Sequence, residues 1–467
     1  MLTIAGPGGR FCDGISRRSF LTIGGLALGG IGLPSILRAE AASSLRSSKK
    51  AVIMVLLPGG PPHLDMYDLK PEAPAEIRGE FRPIATKVPG IEICELMPRL
   101  AANMDRFVPI RSLVGGLDDH NLHQCLTGWE SHPMQGDSRE IPGYPEGGWP
   151  SLGAVVAKLM GAIDPAVPPF LSLAPGKAES TTRASLNQPG YLGAAFAGYE
   201  PLKQVETNPV LRGISLDRLS DRRALLQSLD QFRQRADVSR DELALDSYTS
   251  QAFDMLTSSK VSQALDLSRE DPKVRERYGI PGEPEGVNGG AKHLEGFLAA
   301  RRLVDAGVRC VTLAFSQWPL ERESRGGHNW DWHADNFKKA RKTLPMLDLG
   351  ITALVDDLAA TGRLDDVSIV VWGEFGRSPR INRNAGRDHW AKVGGALLAG
   401  GGIQAGQVLG STNRLGEHAA SRPVHYRDVF ATLYHNLGID AASTMLLDRS
   451  NRPHNLIDNR KPIAELV

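Results

Sequence analysis

The sequence predicts an α/β protein: a mostly parallel sheet with helices on both faces. Three observations lead there. Short continuous apolar runs, the mark of strands buried on both faces, recur along the chain. Segments with helical spacing alternate with them and stop at glycines. The Asp and His residues gather in the loops that follow the apolar runs, except His389, which precedes one, and such loops are where ligands collect in these sheets.

In order, Lys50 to Leu57 (KAVIMVLL) is the first strand, closed by Pro58-Gly59-Gly60. Phe107 to Leu113 is a second strand, leading into GGLDDHNLH. Leu152 to Met160 has helical periodicity and Phe170 to Leu173 is a short strand. Residues 174–212 are rich in Gly, Pro and Ala and read as a long loop region. Residues 215–275 are polar, Leu-spaced and almost free of Gly and Pro, so an inserted helical segment or cap is expected there. Residues 277–292 read as a linker. Alternation then becomes regular. A helix over Leu294 to Ala306 closes at Gly307, and a strand spans Val308 to Phe315. A helix spans Asn336 to Thr361, and strands follow at Ser368 to Trp372 and Gly394 to Ala399. The last helix, Tyr426 to Leu437, stops at Gly438.

With 467 residues, 41% of them hydrophobic, the chain can bury two cores, or one large α/β core with insertions. A formal net charge of +1 and the lack of a Lys/Arg block give no footprint for nucleic acid. The four cysteines, Cys12, Cys94, Cys125 and Cys310, form no CxxC pair and read as small buried hydrophobes.

Residues 1–41 have the order of an export signal, and residues 50–467 form the mature domain. Ser16-Arg17-Arg18-Ser19-Phe20-Leu21 precedes an apolar, glycine-rich run that ends near Ala39-Glu40-Ala41. The paired arginines before Phe-Leu resemble a twin-arginine signal. That implies passage through the twin-arginine translocase and a periplasmic or extracellular destination. The run is short and broken by glycines and Pro34, so no permanent membrane span is expected after cleavage.

Two clusters carry the chemistry: GGHNWDWH (Gly326 to His333) and GEFGRSPRINRNAGRDHW (Gly373 to Trp390). In extended chain, Asp331 and His333 point to the same side and can share one metal ion. The same pair would also suit an exposed loop with an Asp–His hydrogen bond. Glu374 could ligate metal, and Arg377 could clamp a phosphate or sulfate; the bland alternative is an ion pair between them. In the adjacent pair Asp388-His389, one residue can ligate while the other orients it or serves a second ion. Asp65 follows the first strand. His120 and His123 share a face if a helix begins there. These residues suffice for one or two divalent ions, Zn, Mn or Fe for a His-rich subset and Ca or Mg for a carboxylate-rich one.

Several motifs in order, GGPPHLDMYDLKP, HNLHQCLTGW, WPSLG, GHNWDWH, GEFGRSPRIN, GRDHW and LAGGGIQAGQVLGSTN, resemble the DUF1501 family of exported bacterial proteins. That family is similar in turn to the alkaline phosphatase/sulfatase superfamily. The resemblance implies an alkaline phosphatase-like core with Asp65, Asp331, His333 and His389 as metal residues and Glu374 at a metal position of the superfamily; Asp388 joins the metal residues through its place beside His389. Two departures stand out. Glu374-Phe375 replaces the superfamily's Asp-His. The stretch Gly115 to His123, where its Ser, Thr or Cys nucleophile belongs, holds none.

The expected function is therefore an exported metal-dependent hydrolase of phosphate or sulfate esters, using metal-activated water. The substrate would be a small-molecule, polysaccharide or lipid ester. Arg377 would bind the anion, and His120, His123 or His389 would move protons. The alternative is a non-catalytic envelope binding or scaffold protein that keeps the fold. A serine hydrolase is disfavoured because no GxSxG elbow occurs.

Overall fold

The computed structural model describes residues 48–130, 144–173, 186–201, 260–280, 293–316 and 330–467. The chain divides into two units, Met1–Ser48 and Lys49–Val467. The account below concerns the second. The expected signal segment lies outside the described residues. So do residues 202–259, which hold most of the expected helical insertion. At the end of that insertion, Lys260–Leu265 and Pro272–Arg277 are helical.

The main sheet has seven strands: β1 (Ala51–Leu56), β2 (Phe107–Val114), β3 (Phe170–Leu173), β4 (Cys310–Ala314), β5 (Val367–Trp372), β8 (Gly394–Gly400) and β9 (Val424–His425). Between β5 and β8 a separate hairpin pairs β6 (Gly376–Ile381) with β7 (Arg387–Trp390). The order across the sheet is β9-β2-β8-β5-β1-β4-β3. β1 runs parallel to β4 and β5, β3 parallel to β4, and β9 parallel to β2. β8 is antiparallel to both its neighbours, β2 and β5. Every residue of β1, β3, β4, β5 and β8 is buried, as continuous apolar runs covered on both sides require.

The helices that cover the sheet are α3 (Leu152–Leu159), α4 (His293–Asp305), α5 (Asn336–Ala360) and α6 (Tyr426–Leu437). Two short helices, α1 (His63–Met66) and α2 (His123–Thr127), lie in the loops after β1 and β2. On one face, Ile53 and Val55 of β1 share a core with Phe297 and Leu298 of α4 and with Leu344, Leu347 and Ile351 of α5. On the other, Trp372 at the end of β5 lies against Tyr426 and Phe430 of α6, with ring centroids 5.3 and 5.6 Å apart. The spacing of the apolar residues thus predicts both helix faces correctly. Helix α6 also begins and ends by local signals. His425 Nδ1 accepts from Arg427 N, Asp428 Oδ2 accepts from His425 N, and Gly438 takes the left-handed conformation that ends the helix. Cys94, Cys125 and Cys310 are buried and unpaired, as small apolar fillers should be. Among the described residues, no helix is long and apolar enough to cross a membrane.

The reversed strand matters for the site. Because β8 runs against its neighbours, its N-terminal end lies at the edge where β1, β2 and β5 finish. The segment before β8 therefore meets the loops after the parallel strands. Asp388 and His389, which precede a strand in sequence, share an edge with residues that follow strands.

Candidate metal centre at the carboxyl edge of the sheet

The centre is framed by the tight turn after β1. Gly59 has φ +113°, and a Cβ on it would lie 2.4 Å from Asp331 N. Gly60 has φ +77°, and a Cβ there would lie 2.3 Å from the Phe375 ring. Only glycine allows both the backbone conformation and this approach. The turn then supplies backbone groups to the site. Gly59 N donates to Glu374 Oε1 at 2.8 Å, and Gly60 O accepts from Arg377 Nε at 2.9 Å.

Three imidazoles converge on the carboxylate of Asp331. His120 comes from the loop after β2, His333 from the loop before α5, and His389 from β7. Their Nε2 atoms lie 3.3, 3.0 and 3.3 Å from Asp331 oxygens. Each ring is held from behind by its own carboxylate. His120 Nδ1 is 3.2 Å from Glu374 Oε1, His389 Nδ1 is 2.9 Å from Asp118 Oδ1, and His333 Nδ1 is 2.9 Å from Asp388 Oδ1. One donor atom from each of His120, Asp331 and His389 forms a group spanning no more than 4.8 Å. His333 lies at the solvent side of that group, with 45% of its side chain exposed. The His120 and His389 rings meet edge to face with centroids 4.5 Å apart, and Phe375 packs against both, 5.3 Å from His120 and 4.4 Å from His389.

The electrostatics follow from this crowding. Burial alone would lower the His120 pKa, but hydrogen bonds to Asp331 and Glu374 outweigh it and push it up to about 9. Burial alone would raise the Asp331 carboxyl, but His120, His389 and Arg377 hold it well below the usual carboxylate range. His333 likewise lowers Asp388.

The donor set suits a divalent cation. With Nδ1–H given to a carboxylate, a neutral imidazole keeps its lone pair on Nε2. His120 and His389 aim those lone pairs at an anionic oxygen, an arrangement that needs a proton or a cation in between. The separations near 3.3 Å also match the roughly 3.3 Å between corners of a tetrahedron with arms of about 2.0 Å. A carboxylate behind each imidazole is the usual support of a metal-bound histidine.

Three of the expected site residues sit elsewhere or do another job. Asp65 is buried away from the imidazoles and engaged by the guanidinium of Arg387, with two contacts of 2.8 Å, and by Asn336 Nδ2 at 2.8 Å. Its oxygens are already used, so it is a structural anchor. Arg377 is wholly enclosed, donating to Gly59 O, Gly60 O, Arg387 O and Asp331 Oδ1. It holds the site together instead of facing a substrate. His123, at the start of α2, is buried with Nδ1 3.2 Å from Gln188 Nε2, and burial lowers its pKa to about 4. The helix begins at His123, so His120 stays in the loop and the two do not share a face. Glu374 stands behind His120. Its Oε2 is buried with no hydrogen-bond partner among the described residues.

Two residues in the site went unassigned in the sequence. Asp118 lies beside the His120 segment without a pattern of its own. Arg387 sits in GRDHW, where the Asp-His pair draws attention away from it. The only sequence signal for Arg387 is that an arginine buried in a strand must find a carboxylate.

The fold and site define an α/β protein with a His/Asp centre at the carboxyl edge of its sheet. Residues 49–467 match the family model described as "Protein of unknown function (DUF1501)". The chain belongs to the DUF1501 family. No curated protein matches it. Among solved structures, one similar chain is titled "Crystal structure of Ps i-CgsB in complex with k-i-k-neocarrahexaose", at 16% identity and a TM-score of 0.22. That match covers 38% of this chain and 43% of the other, so the present chain spans under half of that protein's length.

If Asp65 is an anchor, Asp65→Asn should leave metal content unchanged, as read by elemental analysis. Arg387→Ala, which strands a buried carboxylate, should cost about 3–5 kcal/mol in urea unfolding.

Proposed function

We propose that this protein is an exported, metal-dependent hydrolase of phosphate or sulfate esters, built on an alkaline phosphatase-like core. The observation that carries the reading is the pair of imidazoles, each backed by its own carboxylate, turning Nε2 toward Asp331 at the carboxyl edge of the sheet.

His120, Asp331 and His389 would hold a divalent cation, and two imidazoles with one carboxylate favour Zn, Mn or Fe over Ca or Mg. Such a cation supplies Lewis acidity at an ester oxygen and lowers the pKa of a water molecule. Glu374 and Asp118 fix the tautomer and plane of the two ligand rings. Phe375 packs against both rings and helps to hold their planes. Arg377 holds Asp331 as an anion, and its contacts to Gly59, Gly60 and Arg387 stop the carboxylate from swinging away. His333, the most exposed of the three imidazoles and paired with Asp388, is placed to pass a proton between the reacting group and solvent. The stretch Gly115 to His123 contains no Ser, Thr or Cys, so the reaction proceeds by direct attack of water.

That same missing nucleophile favours the second reading, an envelope binding protein that keeps the centre without catalysis. Metal analysis joined to a screen of phosphate and sulfate mono- and diesters separates the two. Metal without turnover of any ester supports the binding protein, and absence of both overturns the metal centre as well.

Purified protein should hold a divalent ion that His120→Ala, Asp331→Ala and His389→Ala each lose, and Asp118→Asn should weaken binding about 10–100-fold. The proton on His120 competes with the cation. Apparent affinity should therefore rise by about tenfold per pH unit up to about pH 9 and flatten above it, with proton release visible in calorimetry. His333→Ala should keep the metal but lose about 10²–10⁴-fold in kcat, whereas a ligand role would cost the metal too.

A further inference from the structure

The enclosure of Arg377 removes it as the cation that would receive the anionic group of an ester. We propose that Lys339 is the specificity-determining residue of this centre, taking the non-bridging oxygens of a phosphate or sulfate group. The identity of the anion rests on the hydrolase reading above.

Lys339 lies in the first turn of α5, the helix that starts just after Asp331 and His333. Its backbone N–H donates to Asp335 O at 3.0 Å. The start of α5 is pinned to the turn between β6 and β7, where Asp335 N donates to Asn384 O and Asn336 N to Ala385 O, at 3.0 and 2.9 Å. Asn382 in the same turn donates to His333 O at 2.9 Å and to Asp388 Oδ1 at 3.0 Å. The start of the helix that carries Lys339 is thus tied through this turn to His333 and Asp388.

The side chain of Lys339 is half-buried, yet among the described residues it makes no hydrogen bond or ion pair. It stands within electrostatic reach of Asp335, Asp331 and Arg377, and burial lowers its pKa from the ordinary value. A partly desolvated ammonium with three free donors is costly unless something anionic completes it. Among the described residues, three other cations near this edge are engaged. Arg387 serves Asp65, Arg341 pairs with Glu80 at 2.7 Å, and Lys392 lies over the Trp390 ring at 4.9 Å. Lys339 also belongs to the N-terminal turn of a 25-residue helix, whose dipole favours an anion there. A lysine ammonium suits phosphate or sulfate as a compact point charge.

The test uses metal-loaded full-length protein, with inorganic phosphate and sulfate as probes in binding calorimetry. Lys339→Ala should weaken both anions by roughly ten- to hundredfold, Lys339→Arg should recover most of the loss, and Lys392→Ala should bind as wild type. Metal content should be equal in all four proteins. Wild type binding neither anion, or Lys339→Ala binding both as tightly as wild type, overturns the proposal. The two readings fail separately. Anion binding that depends on Lys339 with no ester turned over removes the hydrolase alone. Ester hydrolysis with an unchanged KM in Lys339→Ala removes Lys339 alone.

Discussion

The buried guanidinium of Arg377 is the contact on which the site depends. It joins the turn after β1, through Gly59 O and Gly60 O, to Asp331 and to Arg387 O in β7. These segments are far apart in sequence, and backbone bonds from Trp330 N to Pro58 O at 2.8 Å and from Arg387 N to Trp332 O at 3.1 Å tie them further. A guanidinium carries donors in a fixed plane, so it can satisfy several carbonyls at once while keeping its charge. That charge adds to the hydrogen bonds of His120 and His389 in keeping Asp331 ionised. Burial opposes the charge on Arg377, and Asp331 opposes that burial. Each ion is tolerable inside the protein because the other is present.

A second buried pair, Asp65 with Arg387, repeats this logic one layer away. Arg387 donates its side chain to Asp65 and its backbone carbonyl to Arg377, so the two pairs are linked through a single residue of β7. Asn336 joins from the first turn of α5. The loop after β1, the β6–β7 hairpin and the start of α5 are thereby clamped before any cation or substrate arrives. Such a frame holds side chains at fixed separations, which a metal centre needs if its affinity is not to be spent on ordering loops.

Much of the architecture was legible because it is local. Continuous apolar runs mark β1, β4 and β5, since parallel strands are covered on both sides. Apolar spacing and glycine stops mark α4, α5 and α6. Asp331, His333 and His389 stood out because Asp-x-His and Asp-His are dense in ligand atoms. The misplaced residues failed for one common reason. Asp65, Arg377 and His123 have side chains able to serve a site, but their partners come from segments far away in the chain. Asp65 meets an arginine 322 residues later, and Arg377 meets carbonyls 317 and 318 residues earlier. No spacing rule reaches across such distances.

The sequence by itself determined six strands of the main sheet, the four helices that cover it, the glycine turns and the residue types able to bind a cation. These depend on periodicity and on local backbone preference, which act over a few residues. Only the tertiary structure decided which polar side chains face one another. It placed His389 beside His120 because β8 runs against its neighbours, and it placed Asp118 and Glu374 behind the imidazoles. It also turned Arg377 inward, against Asp331 and the carbonyls of Gly59, Gly60 and Arg387. Burial and charge pairing are properties of the whole packed chain, and they assign roles that residue identity leaves open.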